Sequence, residues 1–138
     1  MTPEALTALD QIHQLKARYC HAVDRKRWDD LARIFAVDAE LHKTVNGNTS
    51  ITRTRETIVH TISTNLAAKP TMHYATNPII SFASSVEAEG TWCALYMNGA
   101  DGSTGHGWYD DRFVLVDEQW LIARLSLTIN FMRKAGLQ

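Results

Sequence analysis

Residues 18–42 read RYCHAVDRKRWDDLARIFAVDAELH, and within this stretch one helix ends, a second begins and ends, and a strand starts. An apolar stripe at helical spacing runs as far as Asp24. The segment RWDDLARIF (27–35) predicts a second, short helix with one apolar side. The segment AELHKTV (39–45) alternates as a strand does and runs into Asn-Gly-Asn, which favours a hairpin or a tight turn.

The sequence on either side of this stretch extends the pattern into a complete fold. The first helix begins near Thr2 and Pro3, which are a capping residue and a first-turn residue. Residues 54–68 predict a third helix that Pro70 ends. The β-rich runs that follow are separated by turn signals and predict four long antiparallel strands, at 72–83, 86–98, 105–116 and 119–131. We therefore expect one α+β domain, residues 1–138, with a curved antiparallel sheet wrapped around three N-terminal helices.

The composition limits the classes of function. The 14 basic and 15 acidic residues leave a formal charge of −1, which argues against a nucleic-acid or membrane-surface protein, since both need a concentrated positive patch. Cys20 and Cys93 lie in apolar surroundings without CxxC spacing, so we expect buried, reduced thiols. No charged-then-apolar leader precedes the first helix, and no apolar run approaches the ~18–20 residues of a membrane span. The expected location is the cytoplasm.

Polar residues inside apolar segments are the candidates for chemistry, because burying them costs free energy unless they are paired or used. Asp24 ends the first helix, and His42, His73 and His106 lie in or at predicted strands. A neutral histidine accepts a proton near pH 7, and an adjacent carboxylate stabilises the imidazolium that forms. Asp24 with His73 would make such a pair. The residues alone leave open that His73 is ordinary strand packing and that Asp24 is a solvated helix end.

The stretch 18–42, together with MHYATNPIISF (72–82) and HGWYDDRFVLVDEQWLIAR (106–124), resembles the SnoaL-like branch of the nuclear-transport-factor-2-like superfamily. The resemblance implies a cone-shaped α+β barrel that encloses a pocket. Within that branch the chain is most similar to scytalone dehydratase and to hexachlorocyclohexane dehydrochlorinase. In both families a histidine abstracts a proton and an aspartate supports it, and the matching residues here are His73 and Asp24. The resemblance also implies that His106, fourteen residues before Trp120, is a second catalytic histidine.

Other positions depart from these families. The dehydratase uses two tyrosines, where this chain has Val23 and a residue near Lys43, and the dehydrochlorinase has a lysine near Tyr19 and an arginine near Leu125. The residues that would remove the proton are therefore retained. The residues that would polarise the substrate or bind the leaving group are changed. The residues predicted to bind substrate are Tyr19, Val23, Trp28, Arg124 and Asn130.

The sequence thus predicts a cofactor-independent lyase or isomerase acting on a small hydrophobic, cyclic substrate, with dehydratase-like elimination favoured. A first alternative is a non-catalytic module of the same fold, such as the small subunit of a ring-hydroxylating dioxygenase. A second is an epoxide hydrolase with an Asp–Arg–Asp cluster. Asp110, Asp111 and Arg112 are adjacent strand residues that face opposite ways, which leaves Asp24 with Arg124 and a third carboxylate. A third is a metal site formed by Asp24 and the strand histidines, which lacks HxH or HxxxH spacing; no metal is expected.

The outer face of the sheet is expected to join copies of the chain into a homodimer or homotrimer. The apolar strand residues available for that face, in whichever parity is exposed, are Ile80, Phe82, Trp92, Tyr96, Phe113 and Leu115. Within the strand that begins near residue 72, alternation predicts Tyr74, Ile80 and Phe82 on one face and His73 and Asn77 on the other.

Overall fold

A computed structural model describes residues 1–135. Its helices are α1 (Pro3–Asp24), α2 (Trp28–Arg33) and α3 (Arg55–Leu66). Its strands are β1 (Phe35–Val45), β2 (Asn48–Arg53), β3 (Thr71–Phe82), β4 (Glu87–Asn98), β5 (Thr104–Val116) and β6 (Gln119–Arg133). The α+β prediction is confirmed, because three helices pack against one curved six-stranded sheet.

The helix α1 begins at the predicted cap, and α3 has a similar cap that was not predicted. The hydroxyl of Thr2 accepts from the backbone N–H of Ala5 at 3.1 Å, and Thr54 caps α3 through the N–H of Thr57. The long helix α1 is amphipathic, with one stripe buried against the sheet and the opposite face exposed. Within residues 1–135, no helix combines the length and apolar character needed to cross a membrane.

The sheet has the strand order β2-β1-β6-β5-β4-β3. The four strands β3 to β6 are antiparallel neighbours, as the sequence predicts, but β1 pairs with β6 in parallel, so the sheet is mixed. The strand β2 was not predicted. It pairs with β1 through a hairpin in which Asn46 and Gly47 have φ of 52° and 77°, the left-handed conformation that an Asn-Gly turn provides.

A bulge in β3 changes which of its residues face the helices. The register against β4 shifts between Thr76 and Ile79, and Asn77 there has a φ of 57°. Before the bulge His73 pairs with inward-facing Tyr96, and after it Ile80 and Phe82 pair with buried Gly90 and Ala88. The prediction that Ile80 and Phe82 lie on the face opposite His73 is therefore wrong.

The core lies between the inner face of the sheet and the three helices. The bulge in β3 and the parity of β4 and β5 direct inward all six residues suggested for the outer face, with Trp92 and Phe113 only 3% and 2% exposed. The opposite parity faces outward and includes Cys93, so the expectation of a buried thiol holds for Cys20 only. A contiguous apolar surface results on strands β3 to β6, which we call the outer patch: Met72, Tyr74, Met97, Trp108 and Phe131.

Candidate active site

The end of α1 and the start of β3 bring Asp24 and His73 together. Asp24 is the last residue of α1, after which the chain turns back through Lys26, whose φ is 59°. The start of β3 lies directly beside this turn, since α1 packs against β3. The two side chains are 10% and 8% exposed, so the pair lies at the edge of the core with limited contact to solvent.

The carboxylate of Asp24 is held by three donors from β3. The His73 ring Nδ1 lies 2.6 Å from Oδ1, and the backbone N–H of His73 donates to Oδ2 at 2.7 Å. The Thr71 hydroxyl donates to Oδ1 at 3.1 Å and accepts in turn from the Lys26 ammonium at 3.1 Å. Backbone and side chain of His73 are therefore both fixed by one carboxylate.

This geometry determines which ring nitrogen can act as a base. Burial pushes the pKa of Asp24 upward, but the hydrogen bonds from the His73 ring, the His73 backbone and Thr71 outweigh it, and the pKa lies below its ordinary value. Asp24 is therefore ionised at neutral pH and can only accept, so Nδ1 carries the proton of the neutral ring. The lone pair is then on Nε2, which has no hydrogen-bond partner within residues 1–135. The pair has the form of a carboxylate-supported general base.

Aromatic rings surround the imidazole. Tyr96 of β4 stacks on it with ring centroids 5.6 Å apart and an interplanar angle of 20°, and Tyr19 of α1 meets it edge-on at 6.4 Å. The half-buried Tyr96 hydroxyl donates to the Met132 sulfur at 3.3 Å. Tyr96 was not predicted as a site residue, although its position in β4, on the same face as Trp92 and Ala94, was the available signal.

A cavity of about 230 Å³ adjoins His73 between α1 and β3. Trp92, Lys16 and Cys20 contribute to its walls, and the remaining lining residues are His13, Ala17, His21, Tyr74, Ala75 and Thr76. A cavity of about 150 Å³ is sufficient to hold benzene. The space beside His73 therefore suits a molecule with a single ring.

A buried ion pair lies one helical turn before Tyr19. The Lys16 ammonium, in a residue that is 1% exposed, donates to the Asp111 carboxylate at 2.8 Å and lies 3.3 Å from the centre of the Tyr109 ring. Burial lowers the pKa of Lys16 and raises the pKa of Asp111, because both charged forms lose hydration. Adjacent residues face opposite ways here, as expected: Asp111 faces inward, and Asp110 and Arg112 face solvent. The pairing with Lys16 was not foreseen, although Lys16 lies within the apolar stripe of α1.

The structure does not bring His106 to the pair. His106 lies opposite Leu95 in the β4–β5 register, on the outer face of the sheet, whereas Tyr96 and His73 share the inner face. Its ring stacks on Phe131 at 4.4 Å, and its Nε2 lies 2.8 Å from the Thr104 hydroxyl. The strand alternation thus separates the two histidines.

Arg124 and Asn130 also lie away from His73. Arg124 is cross-strand neighbour to Glu40 on β1 and to Arg112 on β5, within a charged row on the outer face. Its Nε is buried and has no partner among the described residues. Asn130 is exposed at the bulge where the β5–β6 register shifts.

The remaining predicted residues have core or surface positions. Tyr19 is at the site, whereas Val23 is fully buried in the core and Trp28 packs against the core from the first turn of α2. His42 lies on β1 and contacts Glu40 at 2.9 Å, so it is not near His73. In the part of the chain that the structure describes, no three histidine, cysteine or acidic residues are grouped as metal ligands.

Comparison with known proteins identifies the fold. The model of the SnoaL-like domain family matches residues 4–126. A proposed scytalone dehydratase from Novosphingobium aromaticivorans superimposes with a TM-score of 0.86 at 23% identity, over 100% of this chain and 94% of that chain. A hexachlorocyclohexane dehydrochlorinase of type 3 from Novosphingobium barchaimii gives 0.85 at 20% identity, over 98% and 95%.

The same architecture also occurs in proteins without a known activity. A protein of unknown function from Nostoc punctiforme superimposes with a TM-score of 0.74 at 19% identity, over 87% of this chain and 89% of that chain. No curated protein sequence matches the chain significantly. At these identities the likeness establishes the nuclear-transport-factor-2-like fold, and the reaction has to be argued from the residues of this chain.

Proposed function

Because the chain belongs to the SnoaL-like domain family, we propose that it is a cofactor-independent lyase or isomerase in which His73 removes a proton from carbon. The observation that supports this most directly is the 2.6 Å contact between Asp24 and the Nδ1 of His73. That contact leaves Nε2 as the basic atom and supplies a negative charge beside the imidazolium that forms. Related solved structures include a dehydrochlorinase, and elimination is the reaction we favour.

The proposed reaction begins with proton transfer from a substrate carbon to His73 Nε2. The electron pair of the broken C–H bond forms a double bond, and a leaving group such as hydroxide departs from the neighbouring carbon with its own electron pair. Asp24 stays ionised and stabilises the imidazolium, and the Tyr96 and Tyr19 rings flank the imidazole on which the positive charge forms. General-base assistance contributes about 10²–10⁴-fold, so positioning and exclusion of water supply the rest.

The cavity restricts the substrate to a small hydrophobic molecule. Its volume of about 230 Å³ and its walls of Trp92, Ala75 and Cys20 suit one ring with short substituents. Steroid-sized and multi-ring substrates are disfavoured on this ground. A C–H group beside a carbonyl or beside a carbon bearing a leaving group is the chemical requirement that the base imposes.

The test uses His73→Gln and Asp24→Asn with a panel of probes in D₂O. Hexachlorocyclohexane and single-ring β-hydroxyketones are incubated with the protein, and NMR follows loss of chloride or water and deuterium entry next to the carbonyl. We expect turnover of at least one probe by the wild type and a loss of about 10²-fold or more in His73→Gln. His106→Gln is the matched control, a histidine on the outer face of the same sheet, and should keep wild-type turnover.

A non-catalytic binding module is the second candidate, and the exposed outer patch favours it, since such patches often mark protein interfaces. Turnover that is unchanged in both His73→Gln and Asp24→Asn rules out the proposed base. Absence of turnover of every probe, with stable capture of a partner chain through the outer patch, would favour the module.

A further inference from the structure

A second cavity lies on the opposite side of α1 from the Asp24–His73 pair. It has a volume of about 920 Å³ and is bounded by α1, α2, the start of α3 and the β5–β6 turn. Five of the nine arginines of the chain line it: Arg18, Arg25, Arg27, Arg33 and Arg55. Only two acidic residues, Asp30 and Glu118, line it with them. We call this cavity the arginine groove.

The arginines of the groove are paired less completely than those of the sheet. On the outer face, Arg53 lies 3.1 Å from Glu40 and Arg112 lies 3.5 Å from Glu89. Among the described residues of the groove, Arg33 alone has a carboxylate partner, Asp30 at 2.7 Å. Clustered like charges repel one another, so an unneutralised group of arginines in a chain with a net charge of −1 indicates a place for an anion.

Hydrogen bonds or ion pairs within residues 1–135 involve the guanidinium groups of Arg18, Arg33 and Arg55 but not those of Arg25 and Arg27, which follow Asp24 at the end of α1. Arg18 has only a long contact of 3.4 Å to the Gln14 amide oxygen. Most of the donors in the groove are therefore free to bind a ligand.

One arginine is held in place by the backbone. The half-buried Arg55 donates from Nε to the carbonyl oxygen of Phe35 at 2.9 Å, which leaves both terminal nitrogens free. A guanidinium fixed in this way loses less entropy when it binds an anion, and its flat, forked shape matches two oxygens of a phosphate. The groove also has apolar walls, formed by Leu15, Ile34 and Trp120.

We propose that the arginine groove binds a small phosphate-bearing organic molecule, with its anionic groups on Arg25, Arg27 and Arg55. The volume lies in the range of about 300–1,000 Å³ that is usual for small-molecule sites. Several unpaired guanidinium groups suit the charge density of a diphosphate better than that of one carboxylate. The site is separate from the His73 cavity and shares only the exposed His21 with it, so the proposal does not depend on the proposed reaction.

Calorimetric titration with pyrophosphate and with ADP, at low salt, tests the proposal. We expect saturable 1:1 binding that weakens as salt rises, with ADP binding more tightly because its base reaches the apolar walls. The double variant Arg25→Gln/Arg27→Gln should lose about tenfold or more in affinity, and the control Arg53→Gln/Arg112→Gln should bind as the wild type does.

A third variant tests the role of the fixed arginine. Arg55→Lys keeps the charge but loses the Nε donor to Phe35, and we expect weaker binding with unchanged circular dichroism. The proposal is overturned if neither pyrophosphate nor ADP binds. It is also overturned if the groove and control variants lose the same affinity. Binding that persists in full in Arg25→Gln/Arg27→Gln overturns it as well.

Discussion

The carboxylate of Asp24 accepts from three donors of β3, and an asparagine at this position cannot accept from all of them. Its amide nitrogen would face the N–H of His73 or the Thr71 hydroxyl instead of an oxygen. Asp24→Asn should therefore lower the free energy of unfolding at pH 7 by about 1–3 kcal/mol. Urea unfolding measures the change, and Asp29→Asn, an exposed aspartate of α2, is the matched control.

The difference in stability between the wild type and Asp24→Asn should depend on pH with a defined sign. Because the folded pKa of Asp24 is depressed, its contribution to stability is present above the ordinary aspartate pKa of about 3.9 and is lost as pH falls through the folded value. Below about pH 4, the wild type should thus lose stability more steeply than Asp24→Asn. Parallel slopes in that range would show that the carboxylate is not stabilised by the contacts of β3.

Single residues were predicted from the sequence only where the family motif covers them. Asp24 and His73 are placed together in the structure, as the resemblance implied, but His106 is not near them. A histidine at a suitable spacing along a strand can face either side of the sheet, and the spacing alone does not determine the side. Tyr96 was missed for the same reason.

The buried Lys16–Asp111 pair links α1 to β5. Removing one partner leaves a buried charge, so Lys16→Met should destabilise the fold by about 3–5 kcal/mol. The double variant Lys16→Met/Asp111→Asn removes both charges and keeps an acceptor for the backbone N–H of Ser126, so it should recover most of this loss. Urea unfolding of the single and double variants measures the coupling. Additive losses in the double variant would mean that the two charges do not compensate each other.

The stability of Lys16→Met should also depend on pH, in the opposite sense to the contribution of Asp24. Burial already raises the pKa of Asp111, and loss of Lys16 removes the ammonium that opposes this shift. A raised folded pKa means that the folded state binds the proton more tightly. Lys16→Met should therefore gain stability as pH falls from the raised pKa of Asp111 towards about 4.

The elements themselves were largely predictable, because caps, turns and periodicity are local signals. The bounds of α1, α3 and the four strands β3 to β6 agree with the prediction to within a few residues. What local signals could not give was the pairing between distant strands. The parallel contact of β1 with β6 and the bulge at Asn77 depend on the whole sheet, and the bulge decides the side on which Ile80 and Phe82 lie.

At the scale of the whole molecule, the outer patch should join copies of the chain. Its members lie next to one another across β3 to β6, with Met72 opposite Met97 and Phe131 opposite His106. Exposed apolar surface of this extent favours burial against a second surface. Trp108→Lys should shift the sedimentation profile from dimer or trimer to monomer at micromolar concentration. Val116→Lys, at the far end of β5, is the control.

A wild-type chain that sediments as a monomer across this concentration range would contradict the prediction. Dissociation by Val116→Lys to the same degree as by Trp108→Lys would assign the contact to another part of the sheet.

The position of β6 between β1 and β5 has a consequence for how the chain folds during its synthesis. The ribosome releases β1 and β2 early and β3 to β5 later, and the two groups share no strand pairing until β6 emerges and inserts between them. Contacts between such distant segments are slow to form, because a long loop must close first. The β1 edge therefore stays open until β6 emerges, shortly after β5, and β6 then joins β1 to β5 in one continuous sheet.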